Sequence, residues 1–266
     1  MGDEFKTIKF SHEDKVRMAK ILVRQTGTTF EDAYAKISGE RPLSEEERLE
    51  KERQFSIRAQ ERLDTSRVLS FYNSSLWAQG RKKTFTFGDW NPNMQTNIEQ
   101  AKAIGNKAFS LAKELEHRDF NVLLTGSVGA GKTALALAIS DKLRSSKTTL
   151  FVSMVEWKNL RMNAIKSPEK QREFSKLEQL MKDAEVLILD DLGKDNKDSN
   201  GRATQDTNNM LFGLGDARMG KTTIITTNDS QSDLARKYDE AVVSRLITKN
   251  PDHTISTNGL KDVREV

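Results

Sequence analysis

Residues 126–133 read Gly126-Ser127-Val128-Gly129-Ala130-Gly131-Lys132-Thr133, a gapless match to the phosphate loop G-x-x-x-x-G-K-[ST]. The flanks decide the fold. Upstream, Phe120-Asn121-Val122-Leu123-Leu124 is a short apolar run suited to a buried parallel strand; downstream, Thr133-Ala134-Leu135-Ala136-Leu137-Ala138-Ile139 continues as a helix. In a strand–turn–helix unit, Gly126, Gly129 and Gly131 allow backbone conformations that turn successive N–H groups toward phosphate oxygens. Ser127, Val128, Ala130 and Ala134 complete the cradle, and the helix N-terminus adds its partial positive charge. Lys132 is placed to reach the outer phosphates, and the Thr133 hydroxyl to ligate Mg²⁺.

Some 55 residues further on, Val186-Leu187-Ile188-Leu189 ends in Asp190-Asp191. A strand buried on both faces of a parallel sheet releases its C-terminal acids at the edge where ligands bind. Asp190 is then placed to share the Mg²⁺ with Thr133, and Asp191 to polarise a water for attack on a γ-phosphate. Residues 148–153 (TTLFVS) and 222–227 (TTIITT) predict two more buried strands, and 253–256 a fifth, which makes a parallel α/β sheet. Asn228 closes the fourth strand. Its amide is suited to orienting the attacking water, although Asn is also a frequent turn-former after a strand. A helical stretch over 232–247 holds Arg245 among apolar neighbours, which suits a guanidinium at a packed surface.

Between the second and third strands, helices over 157–181 break at Ser167-Pro168. They carry Lys158, Arg161, Lys166, Lys170, Arg172 and Lys176, with Lys182 just beyond, against Glu169, Glu173 and Glu178. Lys158, Arg161 and Lys166 are candidate contacts to single-stranded DNA phosphates; a solvated helix face is the alternative. Residues 194–205 read as a polar loop.

Upstream of the strand, residues 11–77 read as three or four helices. Ser11 with Asp14 and Ser44 with Glu47 resemble capping boxes, and Met18, Ile21, Leu22, then Phe30, Ala33, Tyr34 and Ile37, recur at helical spacing. The helix from 45 to 63 is mostly charged, either a solvated linking helix or half of a partner interface. Residues 78–97 form a linker in which Arg81-Lys82-Lys83 precedes Phe85, Phe87 and Trp90; these aromatics suit base stacking or packing onto the next domain. The expected division is therefore a helical N-terminal domain over 1–77, the linker, and the nucleotide domain over 98–266.

The chain's 266 residues leave room for one large domain or a medium one with an appendage. The absence of Cys excludes disulfides, Cys-ligated zinc and thiol catalysis, and His12, His117 and His253 are too scattered for a metal cluster. No apolar run approaches eighteen residues and the N-terminus lacks a signal-peptide core, so a soluble, unexported chain without a membrane partner is expected. A net charge of +4 permits nucleic-acid contact without requiring it.

From about Phe85 onward the order TFTFGDW, GSVGAGKT, LILDDLG, IITTND and VVSRL resembles the AAA+ ATPases, and within them the DnaC/DnaI replicative helicase loaders, including phage-carried versions. The resemblance implies a three-layer AAA+ domain with a five-stranded parallel sheet behind a small all-helical domain, and the bacterial cytosol as location. It implies Walker A at 126–133, Walker B at Asp190 and Asp191, sensor 1 at Asn228, an arginine finger at Arg245 acting on a neighbouring subunit's nucleotide, and a second sensor arginine at Arg264. ATP and Mg²⁺ are the implied cofactors; a replicative DNA helicase held by the N-terminal helices, single-stranded DNA and further copies of the chain are the implied partners. Asp191 stands where many AAA+ proteins carry Glu, and no Cys is present for the zinc module of the DnaI branch. Beyond Leu246 too few residues remain for the usual helical lid, so the pocket is expected to be completed by a neighbour's Arg245 in an ATP-dependent spiral or ring. The alternative is an IstB-like transposition ATPase that presents target DNA to a transposase.

Overall fold

The computed structural model describes residues 11–39, 44–194 and 201–264. Part of the expected polar loop at 194–205, and the break after Gly39, lie outside them. Two compact units divide at Asp64/Thr65.

In the first unit, α1 (His12–Thr26) starts at a reciprocal Ser11–Asp14 capping box and stops at Gly27 in the left-handed conformation. Thr29 caps α2 (Phe30–Ser38), and Ser44 and Glu47 exchange bonds at the start of α3 (Glu45–Asn73). Small residues seal the packing of α1 on α2: Ala19 and Ala33 are fully buried, whereas Met18, Ile21 and Phe30, expected on the inner faces, are exposed. Helix α3 runs ten residues past the expected end at Leu63. Thr65 and Ser66 do not break it, because both sit on its exposed side while Phe71 is drawn into the core of the second unit.

The second unit is a three-layer α/β domain. Its sheet comprises β1 (Val122–Thr125), β2 (Thr149–Ser153), β3 (Val186–Leu192), β4 (Thr222–Thr227) and β5 (Thr254–Ser256), in the order β2-β3-β4-β1-β5 with every pairing parallel. Alternation along the strands builds two cores. Leu123, Leu150, Leu187, Leu189 and Ile225 face α6 (Met154–Ala164), α7 (Pro168–Asp183), α8 (Gln205–Ala217) and α10 (Glu240–Leu246). Val122, Leu124, Phe151, Ile188 and Ile224 face α4 (Ile98–Leu115) and α5 (Lys132–Leu143). The helical stretch expected over 232–247 is two helices, α9 (Gln231–Lys237) and α10. Between them Tyr238 is extended and buried, and the Asp239 N–H donates to Asn208 Oδ1.

The boundary expected at Trp77 falls earlier because residues 75–77 belong to the sheet unit. Leu76 bonds Phe151 and Ser153 along the outer edge of β2, and Trp77 stacks on Phe151 at 4.4 Å. This covers a strand edge that would otherwise expose unpaired backbone. Phe85, Phe87 and Trp90 pack against the α4/α5 core, which accounts for these aromatics without base stacking.

Candidate nucleotide site

The loop after β1 and the ends of β3 and β4 meet at the C-terminal edge of the sheet, around a cavity of about 410 Å³. Its floor is Val128, Gly129, Gly131, Lys132, Thr133 and Ala134; Asp190, Asp191 and Asn228 form one wall. The remaining loop residues, Gly126, Ser127 and Ala130, lie behind this floor: Lys132 Nζ donates to the Gly126 and Ser127 carbonyls at 2.8 and 2.6 Å, and Ala130 is buried.

Close packing enforces the glycines. A Cβ on Gly126 (φ +131°) would lie 2.4 Å from Thr257 Oγ1, and one on Gly129 (φ +76°) 1.8 Å from the Asp262 carboxyl. Trp90 fills the space between Gly131 and Gly105 of α4, donating its indole N–H to the Ala101 carbonyl at 3.0 Å.

Thr133 Oγ1 donates to Asp190 Oδ1 at 2.8 Å, so the end of the glycine turn and the first acid of the pair are in direct contact. Thr226 donates to the same oxygen at 2.6 Å. Burial nevertheless raises the Asp190 carboxyl above the usual carboxylate range, against the pull of both hydroxyls. A hydroxyl and a carboxylate side by side are a hard oxygen donor set that fits Mg²⁺, which commonly takes one or two protein oxygens and completes its shell with phosphate and water. No cluster of three or more His, Cys, Asp or Glu suited to a metal occurs among the described residues.

Asp191 adopts φ +62°, where β3 and β4 shift register between Leu189 and Leu192. Its N–H donates to Thr226 Oγ1 at 2.9 Å, and its carboxylate pairs with Lys194 at 2.7 Å. Burial lowers Lys132 below the usual lysine range, opposed by the charge of Asp191. Lys194 lines the same cavity, as do Lys83, Thr84 and Phe85 of the expected linker, with Val263 and Arg264 opposite. Lys83 and Lys194 lie just outside the motifs read in the sequence, whereas Phe85 and Thr226 lie within TFTFGDW and IITTND but had no role in the nucleotide site assigned to them.

The chain beyond β5 reaches the loop. Gln95 bonds Lys261 in both directions at 3.1 and 2.8 Å, Gln100 donates to the Asn258 carbonyl at 2.8 Å, and Arg264 bonds Asp262. This run replaces no helical lid, yet it sets Val263 and Arg264 against the cavity.

Arg245 is elsewhere. Its guanidinium lies 4.4 Å from the Phe212 ring centroid and 3.2 Å from Asp216 on α8, and its carbonyl accepts from Asn121 Nδ2, just ahead of β1. That is the opposite end of β1 from the phosphate loop. Of the three basic candidates on α6 and its C-terminal turn, Arg161 is paired with Asp206, Lys158 is half-buried, and Lys166 is exposed.

The family model of IstB-like ATP binding proteins matches residues 58–253. This chain belongs to that family. It is accordingly an ATPase with the AAA+ phosphate-loop fold, and the IstB-like match spans both Walker segments, Asn228 and Arg245. Solved structures with a similar fold include AMPPCP-bound DnaA from Aquifex aeolicus (16% identity, TM-score 0.47, 60% of this chain and 47% of that one). They also include DnaI (19%, 0.49, 66% and 91%) and the DnaC helicase loader (21%, 0.46, 64% and 97%). The chain thus spans about half the length of the DnaA structure. No curated protein matches it.

Proposed function

We propose that this IstB-like ATPase loads a replicative DNA helicase onto single-stranded DNA, in assemblies whose ATP sites are completed between neighbouring copies. The position of Arg245 carries the reading. A positive charge is needed at the γ-phosphate during phosphoryl transfer, and Asn121 pins Arg245 at the far end of the strand that feeds the cavity. Its guanidinium, paired with Asp216 and set on the Phe212 ring, would exchange those contacts to serve a second molecule.

Within each copy the loop N–H groups and Lys132 hold the triphosphate, and Asp191 accepts the proton of a water that Asn228 orients. Arg264 reads the phosphates from the C-terminal run. Thr133 and Asp190 would hold Mg²⁺, which would supply charge neutralisation of the phosphates. Lys83, Thr84 and Phe85 face the nucleotide from the linker. The first unit, up to Asp64, serves as the helical partner-binding domain, and the second, from Thr65 with the segment expected as a linker packed onto it, as the ATPase domain. The exposed Leu49, Phe55 and Leu63 of α3 support a partner role for the first of these. For DNA, the exposed Lys166 is the strongest candidate of the basic three, since Arg161 has an acidic partner in its own chain and the Lys158 ammonium is buried.

The test is capture of the host's replicative helicase by the full chain and by a chain lacking residues 1–64. Capture by the first alone supports loading; equal capture, or none, rejects it. The family match favours one other reading, presentation of target DNA to a transposase, for which duplex binding with filament formation and no helicase contact is expected.

A further inference from the structure

The ends of β3 and β4 are tied together by more than the sheet. After the register shift, three successive residues of β3 and its turn are each held from across the gap. The Asp191 N–H donates to Thr226 Oγ1, the Leu192 carbonyl accepts from Thr227 Oγ1 at 2.7 Å, and the Gly193 carbonyl accepts from Lys237 Nζ at 3.1 Å. Lys237 lies at the last turn of α9, its side chain 8% exposed, and its ammonium also pairs with Asp229, the residue after Asn228.

The fit is tight. Gly193 has φ +97°, and a Cβ there would lie 2.1 Å from Asp229 Oδ2 and 3.1 Å from Lys237 Nζ. The main-chain carbonyl of Lys237 in turn accepts from the Ala203 N–H at 2.9 Å, so one residue grips both Gly193 and Ala203.

We propose that Lys237 is a positioning residue for ATP hydrolysis: by bridging the Gly193 carbonyl and the Asp229 carboxylate it fixes Asp191 and Asn228 relative to each other in their shared wall of the cavity. Asp191 needs such support. A non-glycine residue at φ +62° is strained and persists only where its surroundings over-determine it, and the carboxylate two residues before Gly193 moves with that carbonyl. Lys237 does not line the cavity, so its loss leaves the phosphate loop intact while loosening the two groups read as acting on the water. The inference rests on the reading of Asp191 and Asn228 given above.

The experiment compares full-length wild type, Lys237→Met and Asp229→Asn in phosphate release at saturating ATP, binding of a fluorescent ATP analogue, and thermal melting. For Lys237→Met we expect kcat to fall about ten- to a hundredfold, as small misplacements of reacting groups do, with analogue affinity kept within about threefold. Asp229→Asn, in which Lys237 keeps the Gly193 carbonyl, should lose less kcat, again without loss of affinity. A folded Lys237→Met protein with kcat within about twofold of wild type, or with affinity lost in step with kcat, overturns the proposal. Should Lys237→Met fail to fold, unchanged kcat in Asp229→Asn overturns it instead. Asp191→Asn and Asn228→Ala separate the two levels. If they abolish turnover while Lys237→Met does not, only the role of Lys237 falls; if they leave turnover intact, the reading of the site falls first.

Discussion

Asp190 is held at a cost. Burial raises its carboxyl more than the Thr133 and Thr226 hydroxyls lower it, so the folded chain binds the proton more tightly than the unfolded one. The stabilisation this brings is complete below the unfolded value near 3.8 and is lost as pH rises through the raised value, above which the ionised group opposes folding. Asp190→Asn keeps an oxygen for both hydroxyls and removes the charge. Thermal melting without nucleotide should then give a Tm higher by about 2–4 °C, the equivalent of ~1 kcal/mol in a domain of this size, while ATP turnover is lost. A lower Tm would contradict this account. The glycines offer a paired test. Gly129→Ala, with its Cβ 1.8 Å from Asp262, should weaken ATP binding about tenfold or more. Gly213→Ala on α8 meets nothing within 4 Å and should leave binding unchanged, with a small gain of about 0.5–1 kcal/mol in denaturant unfolding.

At the scale of elements, the junction of α7, α8 and β4 depends on one side chain that carries no motif. Arg218, buried at the end of α8, donates to the Met181 and Ala184 carbonyls at the end of α7, to the Thr222 carbonyl, and to Thr223 Oγ1. Burial lowers its guanidinium to about 10, so it stays charged at neutral pH, and the cost of burying that charge is relieved only as pH rises above that value. Arg218→Met leaves several buried carbonyls without donors and should cost about 2–5 kcal/mol in urea unfolding, with the slope unchanged. Nothing in the sequence around 218 distinguishes this arginine from the basic residues of a solvated helix end. The break between α9 and α10 was equally hidden, because Asn208, which receives the Asp239 N–H, lies 31 residues away.

For the molecule as a whole, the proposed function, with Arg245 separated from its own cavity, implies that turnover depends on assembly. Arg245→Ala should lower phosphate release per protomer by about 10³-fold at concentrations where the wild type assembles, the lower end of what an arginine finger supplies, while ATP affinity is retained. Wild-type turnover should rise with protein concentration and approach that of the variant on dilution. Full activity in a dilute Arg245→Ala protein would rule out a neighbour's part in the reaction.

Sequence alone determined the strands, the glycine turn with its lysine and threonine, and the apolar run ending in two aspartates, because each is written in neighbouring residues whose periodicity and steric needs are local. It therefore determined the sheet-and-phosphate-loop class and most of the cavity floor. The register of β3 on β4 set Thr226 on Asp190 and on the Asp191 N–H, and the packing of α9 set Lys237 on Gly193. Tertiary packing also drew the segment at 75–90 into the ATPase unit, aligning Lys83 and Phe85 with the cavity, and set Arg245 at the far end of β1. Contacts between residues dozens of positions apart depend on how the strands stack, and no spacing along the chain records that.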